Sequence, residues 1–344
     1  LVGSQVGAAV GIMNALGMKN TTIAALFACI VIIALTSMGG LMAVTVTDGF
    51  QIILVMVGVV WITVAALGDI GGLSGLNASL TAIQSELPEG YNVFMDSEKF
   101  KSLLWMILPG LMYIMIGQDI YQRLFACKDH KTAIKASVCS AVLVCIVSVM
   151  PVTLGLIARV KHPELATAGT SAAAFATIAM STLPGWAVGI IIAAALSAIF
   201  STADSCLSAA ASHFMTDLYL PYIGKNVDTK DRRLVTISRA FTVIAGLAAV
   251  GVSMLLPTIL DGCFYAYYIY TSGVFCPIVF GVFWKKATKQ GAIAGLLAGG
   301  LFMMYALLTG FSVAGIGGEL LSGIVSAIVL VVVSLATQPK KTAA

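Results

Sequence analysis

Charge is what this sequence lacks. Only 10% of its 344 residues are Asp, Glu, Lys or Arg, against roughly 25% in an ordinary soluble domain. That leaves too little polar material to cover a water-facing surface, and excludes a soluble enzyme or a disordered chain. The basic excess is small, 19 residues against 15 for a net charge of +4, and scattered, which excludes a surface that tracks nucleic-acid phosphates. Cysteine occurs seven times, mostly inside apolar stretches and never in CxxC or CxxH spacing, so neither a zinc site nor a redox dithiol is built. His130, His162 and His213 stand far apart, which argues against a transition-metal centre. There is no initiator Met and no charged segment before the first apolar run, hence no visible signal peptide. The chain opens inside a hydrophobic segment, and the expectation is that it is cut from something longer.

What the chain does have is long apolar runs. Mean hydropathy is +1.01, and runs of about 18 residues or more recur, each long enough to cross ~30 Å of hydrocarbon. The sequence reads as an all-α polytopic membrane protein with about ten transmembrane segments. They lie near 1–17, 22–38, 42–68, 103–124, 132–157, 185–215, 234–256, 261–284, 290–309 and 319–337. Thirteen of the 19 basic residues fall in alternate connections: 123–135, 225–233, 285–289 and Lys340–Lys341. By the positive-inside rule that side is cytoplasmic, and the C-terminus with it. The longest connection, 69–102, is then an outer loop, and residues 1–344 form a single transmembrane domain in a lipid bilayer.

Polar groups at membrane depth need a reason, because the hydrocarbon offers them no water. Three regions stand out. In Ala193–Ser208 and just beyond it a helix sets Ser197, Ser201, Asp204, Ser205, Ser208 and Ser212 toward one face. Hydroxyls and a carboxylate are hard oxygen ligands suited to an alkali cation. A tight seam of small residues accounts for the serines but leaves Asp204 unexplained. The second region is Ser37–Gln51, where Gly39-Gly40 leads into a helix carrying Asp48. Here two readings stand: a capping pair with Gln51 at a helix start, or a second carboxylate on an ion path. In the third, Leu104–Asp119, Pro109-Gly110 is expected to break a span beside Tyr113 and Gln118, as discontinuous helices do in secondary transporters. Tyr265, Tyr267, Tyr268 and Tyr270 read either as an interfacial belt or as a pocket wall.

Gly39-Gly-Leu-Met-Ala-Val-Thr-Val-Thr-Asp-Gly-Phe-Gln51 resembles the GG-x-x-AV-x-x-TD-x-x-Q signature of the sodium:solute symporter family. Gly117–Arg123, Ala198–Ser205, Asp217–Tyr219, and Phe283–Lys286 followed by Gln290–Gly295 resemble further family segments, in family order. The resemblance implies the leucine-transporter fold of two inverted five-helix repeats, with the first core helices missing here. It implies a sodium-coupled symporter that imports a small organic solute such as an amino acid or carboxylate, without enzymatic chemistry. Gly72-Leu-Ser-Gly75 looks like half of a membrane serine-protease motif, but no His stands at membrane depth to partner it.

Carried over residue by residue, the common sodium (Na+) site falls on Ala198, Ser201 and Thr202. A second sodium locus falls on Asp48 and Ser205, with Asp204 standing where relatives have Thr or Ala. The solute positions map onto Gly110, Leu111, Tyr113 and Met115, anchored on Gly117-Gln118. Gly110, Leu111 and Met115 depart from the sugar and proline members, so neither solute follows, and Gln118 completes the candidate set. Other readings are a sensor domain fused to a signalling module and a proton-coupled carrier using Asp204 or Asp48. A monomeric unit is the default expectation for the assembly.

Overall fold

The computed structural model describes residues 1–38, 41–87, 97–166, 170–225, 227, 231–256, 258–313 and 317–338. Gly39, Gly40, the 88–96 part of the outer loop, and Lys340–Lys341 lie outside the described residues. Among those described the structure is helical, with short 3-10 and π turns and no strand. In chain order the helices are α1 (Val2–Ala15), α2 (Thr21–Met38), α3 (Leu41–Asp69), α4 (Gly72–Ala82), α5 (Ser97–Ile116) and α6 (Gln118–Phe125). Next come α7 (His130–Val147), α8 (Val149–Lys161), α9 (Ala174–Thr182), α10 (Gly185–His213), α11 (Leu220–Tyr222) and α12 (Arg232–Leu255). The last four are α13 (Ile259–Tyr270), α14 (Cys276–Phe283), α15 (Lys289–Thr309) and α16 (Gly318–Ala336).

Among the described residues six helical runs are long and apolar enough to cross a membrane: Asp48–Asp69, His130–Lys161, Gly185–Tyr222, Arg232–Leu255, Ile259–Phe283 and Lys289–Thr309. Four shorter apolar helices accompany them, at Thr21–Ser37, Ile107–Ile116, Ser171–Thr182 and Leu320–Ala336. The protein is a multi-pass membrane protein. Nine of the ten expected segments coincide with one of these helices. The first, 1–17, is realised as α1, whose 14 residues reach about 21 Å at 1.5 Å per residue, short of the hydrocarbon thickness. Conversely, Ser171–Thr182 forms a helix inside a stretch that reads as a connection.

On α3 the exposed side chains Phe50, Ile53, Val57 and Val64 recur every three to seven residues and make one apolar stripe. A water-facing helix would not expose such a stripe; a lipid-facing one requires it.

The helices gather into two compact units. The first comprises Leu1–Tyr91 and Ala126–Gly262. Its centre is α10, which belongs to two cores at once. The N-terminal half packs Ala187, Val188, Ile191 and Ile192 with Ile62 of α3, Leu154 and Ile157 of α8, and Ile178 of α9. The C-terminal half packs Phe200, Ala203 and Leu207 with Val6 and Val10 of α1 and Ala28 and Ile32 of α2. Trp61 and Trp186 meet with ring centroids 5.5 Å apart, and a Cβ on Gly58 would lie 3.3 Å from Ile191. These contacts run α3 and α10 antiparallel.

The second unit comprises Asn92–Phe125 and Cys263–Ala344. Its most intimate contact joins α15 to α16 through Gly291, Gly295 and Gly299, one every four residues on a single face. A Cβ on Gly295 would stand 2.8 Å from Leu330 Cβ and 3.0 Å from the Ser326 carbonyl. One on Gly299 would collide with the Ser272 carbonyl and stand 2.7 Å from Ser326 Cβ. Backbones can approach this closely only where side chains are absent. Ser272 lies in the π turn Thr271–Phe275 that joins α13 to α14. Its hydroxyl accepts from Ser322 Oγ at 2.7 Å and donates to the Tyr268 carbonyl.

One expectation is corrected here. α5 runs through Pro109-Gly110 without interruption to Ile116, and the break falls at Gly117. Proline forfeits one backbone hydrogen bond, and in a span the neighbouring groups absorb the loss. The Pro109 ring is itself fully buried.

The glycine seam predicts that Gly299→Val lowers thermal stability by about 1–3 kcal/mol through overpacking. Gly300→Ala, which meets nothing within 4 Å, is expected to be neutral or slightly stabilising. Melting of the purified protein by intrinsic fluorescence compares the two.

Candidate ion and solute sites

The ion candidates lie on α10, where its two cores meet. Thr202 Oγ1 donates to the Ala198 carbonyl at 3.0 Å and Ser201 Oγ to the same carbonyl at 3.2 Å. Three oxygens of the expected sodium set therefore converge within one helical turn. Ala198 and Ser201 are half-buried, while Thr202 is exposed. One turn on, Ser205 Oγ donates to the Ser201 carbonyl at 3.0 Å. Hydroxyls that bond back to their own helix are satisfied in a dry interior. Each retains oxygen lone pairs that a cation can use once the proton swings aside.

Asp204 is almost fully buried, 4% exposed. Ser208 Oγ donates to its Oδ1 at 3.4 Å. At 100° per residue Asp204 stands about 160° around the helix from Thr202. Its buried neighbours along the chain are Phe200, Ala203 and Leu207, which face α1 and α2. Helical phase thus separates Asp204 from Thr202, while Ser201, three residues before Asp204, stands about 60° from it on the same side of the helix.

Asp48 is half-buried on α3. The helix starts at Leu41, with no acidic residue in its first turn, so Asp48 stands two turns inside and the capping alternative falls. The antiparallel pairs 61/186 and 58/191 have numbers that sum to about 248, and equal rise per residue sets Asp48 about level with residue 200.

The solute candidates lie in the second unit. Tyr113 packs against Tyr267 and Tyr270, with ring centroids at 4.7 and 5.5 Å. Its hydroxyl crosses the helix break to donate to Asp119 Oδ1 at 2.7 Å. Tyr270 in turn donates to the Ile116 carbonyl at 3.3 Å, and Tyr121 to the Met115 carbonyl at 2.8 Å. Gly117 makes this possible: a Cβ there would stand 3.0 Å from Asp119 Oδ1 and 3.1 Å from the Tyr113 ring. Gly110 is half-buried with nothing within 4 Å of a Cβ built on it, and Gln118, half-buried, begins α6. Leu111 and Met115 are 52% and 54% exposed. They stand about 160° around α5 from Tyr113, so the structure does not bring them into the tyrosine cluster.

Asp119 is absent from the site expected from sequence, while Tyr267 and Tyr270, for which an interfacial belt and a pocket wall both stood open, pack against Tyr113. The Tyr113–Asp119 bond spans six residues across a break, a spacing no helical periodicity flags. The tyrosines of α13 are 154 residues or more from Tyr113, a separation pattern-reading does not bridge.

These features define a class: a polytopic helical membrane protein with an interrupted span and clustered hard-oxygen groups at membrane depth. The chain belongs to the sodium:solute symporter family, whose profile matches residues 2–299. It is 31% identical over 299 residues to a sodium/glucose cotransporter of Vibrio parahaemolyticus, covering 78% of this chain and 53% of that protein. It is 28% identical over 316 residues to a sodium/pantothenate symporter of Haemophilus influenzae, covering 88% and 61%. The chain therefore spans between half and two thirds of the length of these relatives. The fold matches a solved Na+-coupled sialic acid symporter, a structure in a substrate-bound outward-open state described as revealing a novel Na+ site. The TM-score is 0.72 at 17% identity, over 99% of this chain and 72% of that one. The leucine-transporter-like helical fold is thereby shown.

Tyr113→Phe keeps the ring stacking and removes the bond to Asp119. It is expected to cost about 1 kcal/mol of stability, whereas Tyr121→Phe, acting on a neutral and exposed bond, costs less. Denaturation of the two variants side by side decides; equal losses count against a structural role for the Tyr113–Asp119 bridge.

Proposed function

We propose that residues 1–344 form the greater part of a sodium-coupled secondary symporter of the cell membrane, one transporter domain that imports a small organic solute by alternating access. The observation that carries this reading is the turn of α10 where Ser201 and Thr202 hydroxyls meet the Ala198 carbonyl. A carbonyl and two hydroxyls form a hard-oxygen set that suits an alkali cation and no soft metal. Na+ is cargo here, held by Ala198, Ser201 and Thr202. Asp48 and Ser205 form a second locus, to which Asp204 adds charge from the buried side of the same helix.

The solute binds beside the Gly117 break, with Tyr113 and Gln118 contributing polar contacts and Gly110 the space. Leu111 and Met115 shape the site only if this helix turns during the cycle. Binding of sodium and solute together favours the inward-open state, since ligands shift a conformational equilibrium only by their differential affinity. The membrane potential adds ~2.3 kcal/mol per charge per 100 mV. The basic connections and the C-terminus face the cytoplasm, and one chain in the bilayer is the working unit.

In the full-length protein reconstituted into liposomes, Ser201→Ala and Thr202→Ala are each expected to raise the sodium concentration for half-maximal uptake about tenfold. Uptake indifferent to sodium overturns the reading. Charge moved per solute is expected to fall in Asp48→Asn and to stay reduced in Asp48→Asn/Asp204→Asn; unchanged coupling in both removes the second locus.

A further inference from the structure

A cavity of about 540 Å³ opens between the C-terminal end of α2, the C-terminal half of α10 and the first half of α12. Among the described residues no carboxylate lines it. Seven of its thirteen lining residues carry hydroxyls and one, Arg239, carries a guanidinium. Among the described residues Arg239 has neither an acidic nor a hydrogen-bonding partner. The nearby carboxylates are already engaged. Asp204 accepts from Ser208, Asp217 pairs with His213 and Thr216, and Asp231 caps α12 through the Arg233 N–H.

Arg239 is the eighth residue of Arg232–Leu255, about 10 Å inside the start of a membrane-crossing helix. Arg239 is exposed, and a cation within a membrane-crossing helix is stabilised by water or an anion beside it. Ser37 of α2, Ser212 of α10 and Ser238 of α12 also line the cavity. Among the described residues, none of these three hydroxyls has a partner.

We propose that this cavity binds a phosphate group, with Arg239 as its charge partner and Ser37, Ser212 and Ser238 as donors. The guanidinium fork grips two oxygens of an oxyanion at once. Hydroxyls arriving from three helices suit the tetrahedral spread of phosphate oxygens better than a planar carboxylate. The volume leaves room for whatever the phosphate is attached to. Val235, 51% exposed, and Leu220 give the cavity an apolar margin, as a glycerolipid requires. Arg232 and Arg233 at the start of α12 add positive charge outside the cavity, the pattern by which basic pockets between spans hold anionic headgroups. The phosphate belongs either to an anionic phospholipid or to a free phosphate compound, and the chemistry of the site is the same for both.

The full-length protein in nanodiscs tests this with two probes. In the first arm, phosphatidylglycerol is mixed with phosphatidylcholine and retained lipid is counted by native mass spectrometry. Wild type is expected to retain phosphatidylglycerol selectively. Arg239→Gln is expected to lose that selectivity about tenfold, the loss of one charge-assisted pair. Arg232→Gln, outside the cavity, keeps it. In the second arm, inorganic phosphate is added in phosphatidylcholine alone and melting is followed. Protection of wild type but not of Arg239→Gln assigns the site to free phosphate, and supports the proposal equally. Identical behaviour of wild type and Arg239→Gln in both arms overturns it. Should Arg239→Gln fail to fold, Ser212→Ala/Ser238→Ala removes donors and leaves the charge. It is expected to weaken retention of the phosphate-bearing probe about threefold, and unchanged retention overturns the proposal.

Discussion

Inside a bilayer no water completes an unpaired polar group, and the chain must bond every one of its own. The hydroxyls of α10 show how this chain complies. Ser201, Thr202 and Ser205 each donate to a carbonyl of their own helix, so these three hydroxyls are satisfied without water. The same bonds keep those oxygens in place for a cation. Each O–H···O=C contact is an arrangement in which only a proton has to move before two oxygens face the same ion. On the proposed function, dry packing and ion binding would use one set of residues.

Position along α10 matters as much as chemistry. Residues 187–192 lock into one apolar core and 200–207 into another, and Ala198–Thr202 falls at the passage between them. The helix is held on both sides of the oxygens and left half-open at them. Asp204 is placed differently, packed toward α1 and α2 and bonded to Ser208, which also lines the Arg239 cavity. A carboxylate that touches a cavity-lining hydroxyl is electrically connected to the cavity through a single side chain.

The sequence yields much of this fold because the membrane imposes a strong, one-dimensional signal. Apolar length places nine of ten segments on apolar helices, with ends that differ by up to eight residues, as at 103–124 against Ile107–Ile116. Residue type at membrane depth points to Asp48 and to the α10 oxygens, since only a few chemistries are tolerated there. What the sequence does not yield depends on direction or on distance along the chain. Asp204 and Thr202 share a turn, but two positions of offset carry them to nearly opposite sides of the helix. Tyr113 meets Tyr267 and Tyr270 only because two distant helices pack together. The glycines of α15 are visible as small residues, but their partner, α16 with Ser326 and Leu330, appears only in the packing.

The displaced helix break follows from the same physics. Proline removes one donor and leaves the rest of the helix ladder intact, so a well-buried Pro109 ring is compatible with continuous helix on both sides. Gly117 acts through space. Its missing side chain lets the Tyr113 ring lie against the backbone and pass its hydroxyl to Asp119 on the far side of the break. Gly117 keeps its own backbone pairing, donating to the Tyr113 carbonyl at 2.7 Å and accepting from the Ile120 and Tyr121 N–H groups, and the Tyr113–Asp119 bond adds a side-chain link across the same point. A break held by a side chain is one that another hydrogen-bonding partner can open, because a solute competing for the Tyr113 hydroxyl or the Asp119 carboxylate competes directly with the bond that closes it. Proline offers no such handle. The interruption that a ligand can address is therefore the one at Gly117, and the tyrosines stacked on Tyr113 are the groups that would register its opening.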